Sequence, residues 1–140
     1  MANFSSEEEM SNCFKKILQK YQKRFNFKFE KEVEGLWGVP DFILYDENLD
    51  KTIAIELKLK NWGRALTQAF KYRAFSHCSF VIIDKDFVHR AKNNIDQFIH
   101  YNIGLASFNK KGKIKKIYEP QFTSPYSKFT LFKLRQVLHE

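Results

Sequence analysis

Apolar and polar positions along the chain change period several times, and each change marks an element. Behind Ser6 and Glu9, which form a capping box, Met10, Phe14, Ile17 and Tyr21 recur at helical spacing and predict a helix running to about residue 23. From Phe25 to Glu34 the pattern alternates, with Phe25, Phe27 and Phe29 on one face and Asn26, Lys28 and Glu30 on the other, as in a half-buried strand. Gly35 and Gly38 surround Trp37 in a loop leading to Pro40. Strands are predicted over Asp41–Tyr45 and Thr52–Lys60, joined by the polar turn DENLD. Asn61 caps a helix reaching about Phe75, and the apolar run His77–Asp84 reads as a buried strand. A helix over Phe87–Tyr101, a strand over Ile103–Phe108, a turn at Gly112 with an exposed basic edge (Lys110–Lys116) and an amphipathic helix over Ser127–His139 complete the chain. With no repeat and no long linker, the order predicts an α/β fold: helices packed around one mixed sheet.

A chain of 140 residues suits a single domain with a real core. Twenty-four Lys and Arg against sixteen Asp and Glu leave a net charge of +8, which favours polyanionic partners and equally serves solubility. Cys13 and Cys78 lack zinc spacing and read as reduced thiols of a cytoplasmic protein. The N-terminus carries no secretion-signal pattern, and no apolar run approaches membrane-spanning length. His77, His89, His100 and His139 show no paired metal spacing, and neither a G-x-S-x-G elbow nor a phosphate-binding P-loop is present.

The candidate chemistry lies on the two central strands. A turn centred on Asn48-Leu49 sets Asp41 across from Glu56, Ile43 across from Ala54 and Tyr45 across from Thr52. Opposed side chains have Cβ atoms roughly 4.5–5.5 Å apart, where two carboxylates repel unless a cation lies between them. Lys58, two residues beyond Glu56, projects from the same face, while Ile53, Ile55, Leu57 and Leu59 line the other. Two carboxylates, a main-chain carbonyl (that of Leu57) and waters suit Mg²⁺ or Mn²⁺, and a lysine beside them can orient water or stabilise a phosphate. A solvated polar strand face is the plain alternative. In the following helix Gln68 and Tyr72 are i and i+4, with Arg64 a turn back; they suit a phosphate or water, or simply packing.

Pro40-Asp41, then Glu56-Leu57-Lys58, then Gln68 through Tyr72 resemble the PD-(D/E)xK nuclease superfamily, with the Q-x-x-x-Y helix motif of its RecB-type branch. The resemblance implies an αβββαβ restriction-endonuclease-like core over about 7–108, followed by an extension over 109–140 that holds the additional helix. It implies Mg²⁺-dependent phosphodiester hydrolysis, with Asp41 and Glu56 as ligands, Lys58 as the catalytic lysine, and Gln68 and Tyr72 completing the site. Many members add a first-helix glutamate. Glu7 shares the stripe of Met10 and Phe14 and is the choice here, although three acids also suit any helix N-terminus. The expected activity is DNA endonuclease, with RNA not excluded and a homodimer as one way to cut both strands. Phosphate contacts are expected from Lys60, Arg64, Lys71, Arg73, Lys110, Lys111, Lys113, Lys115 and Lys116. The alternative is a non-cleaving nucleic-acid-binding module of the same fold within a larger complex.

Overall fold

In the computed structural model, which describes residues 4–139, each strand lies beside its neighbour in sequence. Strands β1 (Lys28–Lys31), β2 (Phe42–Tyr45) and β3 (Thr52–Lys58) form an antiparallel meander. β4 (Cys78–Asp84) and β5 (Gly104–Phe108) then run parallel to β3, and β6 (Ile114–Tyr118) returns antiparallel along β5. Helix α2 (Trp62–Tyr72) makes the first parallel crossover. A 3₁₀ turn (Lys85–Phe87) with α3 (His89–Lys92) and α4 (Ile95–Tyr101) makes the second. Short turns join β2 to β3 and β5 to β6, and the loop 32–41 joins β1 to β2; only the crossovers can return the chain for parallel pairing. The β2–β3 register is the predicted one, with Ile43 opposite Ala54 and Tyr45 opposite Thr52.

Helices cover both faces of this single α/β domain. Helix α1 (Glu7–Gln22) buries Met10, Phe14 and Leu18 against Ile55, Leu57, Ile82 and Phe108. On the other face α2 and α4 bury Ala65, Leu66, Ala69 and Phe98 against Val81, Ile83 and Leu105. Helix α5 (Lys128–His139) places Leu134 with Ile43, Ala54, Tyr72 and Phe75. Burial on both sides explains why β4 reads as one apolar run rather than an alternation. Two helix starts follow their caps: the Ser6 hydroxyl accepts the Glu9 N–H (3.0 Å) and the Asn61 side chain accepts the Arg64 N–H (3.1 Å). Among the described residues no helix is long and apolar enough to cross a membrane.

Three elements depart from the sequence pattern. The alternating stretch Phe25–Glu34 forms only a four-residue strand. The Phe25 N–H still bonds to the Tyr21 carbonyl (2.8 Å), which leaves the Phe25 ring exposed, and Glu32 turns left-handed (φ 52°) to end β1. The helix expected over Phe87–Tyr101 is broken. The Asn94 side chain donates to the Arg90 carbonyl (2.8 Å) and its own N–H goes to Ala91, so a turn separates α3 from α4. The basic edge is a full strand, β6. Its turn places Gly112 at φ 86°, where a Cβ would lie 2.7 Å from Ile17 Cδ1 on α1.

Candidate active site

The parallel strands end together, and the polar residues gather at that end of β3. Asp41 stands just before β2, with its N–H bonded to the Ile55 carbonyl (3.0 Å). Its carboxylate accepts the Leu57 N–H at 2.7 Å, so the side chain continues the ladder where β2 has stopped. The N–H and C=O of a strand residue leave along the same edge, so the Leu57 carbonyl points past the end of β2 as well.

Glu56 faces α2 and is only 7% exposed, which removes the solvated-face alternative for this residue. Its Oε1 accepts a hydrogen bond from the Tyr72 hydroxyl at 2.6 Å. Lys58 lies at the strand end, its side chain 19% exposed and its Nζ 3.6 Å from Glu7 Oε1. The other Glu7 oxygen accepts the Leu59 N–H at 3.3 Å. Glu7 is thus the first-helix acid that reaches the site. Glu9 is taken up by the cap, accepting the Ser5 N–H (3.0 Å), and by Lys110 (3.3 Å).

Burial and like charge strain this constellation. Desolvation raises the carboxyl pKa of Asp41, against the opposing pull of the Leu57 N–H and Lys58. Glu56 is pushed up to about 7, first by burial and then by the negative charge of Asp41. The Tyr72 phenol is raised as well, by burial and by its bond to Glu56. Tyr72 has a single proton but two acceptors: Glu56, and the Val39 carbonyl at 3.0 Å. The phenol proton is therefore shared between the Glu56 carboxyl and the Val39 carbonyl. A divalent cation at Asp41 and Glu56 would relieve the repulsion, and paired carboxylates are the donors Mg²⁺ and Mn²⁺ prefer. Among the described residues no group of three or more His, Cys, Asp and Glu side chains is placed to hold a metal ion. Glu7, the expected first-helix ligand, turns its oxygens to Lys58 and the Leu59 N–H. By donor type, Asp41 and Glu56 suit a hard cation, which they would hold with the Leu57 carbonyl and waters.

Other expected residues divide. Gln68 is half-buried beside the loop, its Oε1 3.8 Å from where a Cβ on Gly38 would stand. Lys60 is exposed with Nζ 4.6 Å from the Phe87 ring, and Arg64 and Lys71 are exposed on α2. The tip of the β5–β6 hairpin follows the C-terminal end of β5, and so lies at the same end of the sheet as Lys58. Lys110, Lys111, Lys113, Lys115 and Lys116 are all exposed there, with Lys110 paired to Glu9 and Lys116 to Glu119 (3.1 Å). Lys115 and Lys116 are successive strand residues, so they address opposite faces.

Arg73 is a correction. It is 6% exposed, donates to the Tyr101 carbonyl (2.9 Å) and the Thr123 hydroxyl (2.6 Å), and stacks 4.5 Å from the Tyr126 ring. It ties the segment before α5 to α2 and is not available to a phosphate. Sequence reasoning missed the Val39 carbonyl and Gly38. At Gly38 (φ 86°) a Cβ would lie 2.9 Å from Tyr72 Cε1, so only glycine lets the loop close on the phenol. The Gly-Val-Pro-Asp run was the available signal.

No protein-family model matches the sequence, nor does any curated protein. Among solved structures, SPO1766 of Silicibacter pomeroyi, a protein of unknown function, superposes with a TM-score of 0.60 at 14% identity, over 90% of this chain and 81% of its own. The two share a fold. SfsA of Pyrococcus furiosus, solved with Ca²⁺, reaches only 0.45 at 9% identity, over 82% of this chain and 64% of its own. That likeness is too loose to bear on the site.

Proposed function

We propose that this protein is a metal-dependent nuclease that hydrolyses phosphodiester bonds, acting as a DNA endonuclease. The observation that carries the reading is the pair of desolvated carboxylates, Asp41 and Glu56, at one strand end beside Lys58. Such a costly arrangement is a mark of functional sites. Mg²⁺ or Mn²⁺, held by Asp41, Glu56 and the Leu57 carbonyl, would polarise a phosphoryl oxygen and acidify a bound water. The chain's own groups do the positioning. The Leu57 N–H orients Asp41, the Tyr72 hydroxyl orients Glu56, and Glu7 aims Lys58. Lys58 donates to the attacking water or to a phosphate oxygen, stabilising negative charge as the phosphorus–oxygen bond breaks. Lys60, Arg64, Lys71 and the hairpin lysines would contact flanking phosphates.

The preference for DNA over RNA rests on the resemblance of Pro40-Asp41, Glu56-Leu57-Lys58 and Gln68–Tyr72 to PD-(D/E)xK nucleases. Two free thiols, Cys13 and Cys78, suit a reducing compartment such as the cytoplasm. A second copy would supply the second site for cutting both strands of a duplex. The test is incubation of single-stranded, duplex, flap and four-way-junction DNA, and matching RNA, with Mg²⁺ or Mn²⁺ against EDTA. Metal-dependent cleavage lost in Glu56→Ala is expected. Binding without cutting under every condition would make the protein a non-cleaving module and overturn the proposal.

A further inference from the structure

Beside the carboxylates, the loop carrying Val39 also carries an aromatic surface that the hydrolytic site does not use. Leu36 turns inward to the core cluster of Val33 and Leu134, which forces Trp37 outward, where it is 62% exposed. Facing it across a groove of about 460 Å³ is the first turn of α5, with Phe129 68% exposed and Lys133 Nζ 5.0 Å from the Phe129 ring. Gly35, Gly38, Ser127 and Thr130 complete the walls.

The chemistry of the walls selects the occupant. Of the cations that α5 exposes, Lys133 lines the groove and Lys128 adjoins Phe129, and the helix has no acidic residue. A second copy seated face to face would bring these cations together, whereas a polyanion is attracted by all of them. Large exposed aromatic rings among lysines form a stacking platform for nucleobases, which a paired duplex does not offer. The location fits as well. Trp37 is four residues from Asp41, hence within roughly 14 Å of it along the chain. The same loop is tied to the carboxylates through the Val39 carbonyl and Tyr72.

We propose that the Trp37–Phe129 groove receives an unpaired nucleobase of the strand being cut, so that the substrate class is DNA with single-stranded nucleotides next to the scissile phosphate. This rests on the nuclease reading and narrows it. The test measures binding by fluorescence anisotropy in EDTA, so that no cleavage intervenes, with one labelled oligonucleotide presented single-stranded or as a blunt duplex. Trp37→Ala is expected to weaken single-strand binding about 5- to 100-fold and duplex binding less than about 2-fold. Trp37→Phe should restore most of the loss. Phe129→Ala, on a different element and unconnected to Tyr72, should reproduce the selective loss and exclude a mere disturbance of the loop.

Equal losses on both probes, no loss on either, or wild-type protein that binds neither would overturn the inference. Sedimentation velocity supplies a further arm. If both substitutions turn a dimer into a monomer while oligonucleotide affinity is unchanged, the face pairs copies of the chain and the inference fails. Failure of the nuclease reading has its own signature, wild-type protein that cuts no substrate with Mg²⁺ or Mn²⁺, on which these binding measurements do not depend.

Discussion

Glu56→Gln should make the metal-free protein more stable above neutral pH and leave it unchanged in acid. The folded protein holds the Glu56 carboxyl at about 7 against an ordinary value of 4.5. Between those values the folded chain keeps a proton that the unfolded chain has lost, so stability falls as pH rises through that window and levels off above it. The displacement corresponds to about 3 kcal/mol. Glutamine is uncharged at every pH, nearly isosteric, and retains an oxygen that can accept the Tyr72 hydroxyl. It therefore avoids the cost of ionising a buried carboxyl beside Asp41.

For a chain of this length, about 3 kcal/mol amounts to roughly 10 °C in melting temperature. Thermal melts in EDTA at pH 5 and pH 8.5 should show the two proteins close together at the lower pH and the variant ahead by that margin at the higher. Added Mg²⁺ should raise wild-type stability at pH 8.5 and do little for the variant, which should also fail to cut DNA. A difference that does not change with pH, or a variant less stable at both values, would refute the reasoning.

Tyr72→Phe removes a hydrogen bond that favours ionised Glu56, so the acid limb of the cleavage pH profile should move to higher pH. An unmoved limb would separate Tyr72 from the titration of Glu56. Lys58→Ala should lower turnover at saturating metal by about 100-fold or more, with little change in the metal concentration giving half-maximal rate; an unchanged rate would make Lys58 a surface residue. Arg73→Met should lower stability by about 2–4 kcal/mol in urea titrations, because it unpairs buried partners, without changing the salt dependence of DNA binding. Neutralising Lys111, Lys113 and Lys115 together should do the reverse, flattening that salt dependence with little effect on stability.

Local pattern carried most of the scaffold in a form that could be read directly. Alternation about the Asn48-Leu49 turn set the β2–β3 register, and the hairpin keeps it because a one-residue slip would exchange the residues packed on α1 with those packed on α2. Ser6 and Asn61 announced two helices through side chains that bond three residues ahead. For the same reason Asp41, Glu56 and Lys58 were legible as candidates: strand periodicity is a property of neighbours in sequence.

What pattern cannot express is which distant group a side chain meets, and there the tertiary structure decided. The helical stripe singled out Glu7 from Glu8 and Glu9, but its ion pair with Lys58 arose only once α1 had packed across the sheet. Arg73 looked like one more surface cation on α2 until the Thr123 segment folded over it. The break at Asn94 was a choice between helix and local side-chain bonding, made where α3 packs on α2 and α4 on β5. The poise of Glu56, finally, comes from burial beneath Tyr72 and from the charge of Asp41, both supplied by residues remote in sequence, because desolvation belongs to the packed assembly and not to any stretch of chain.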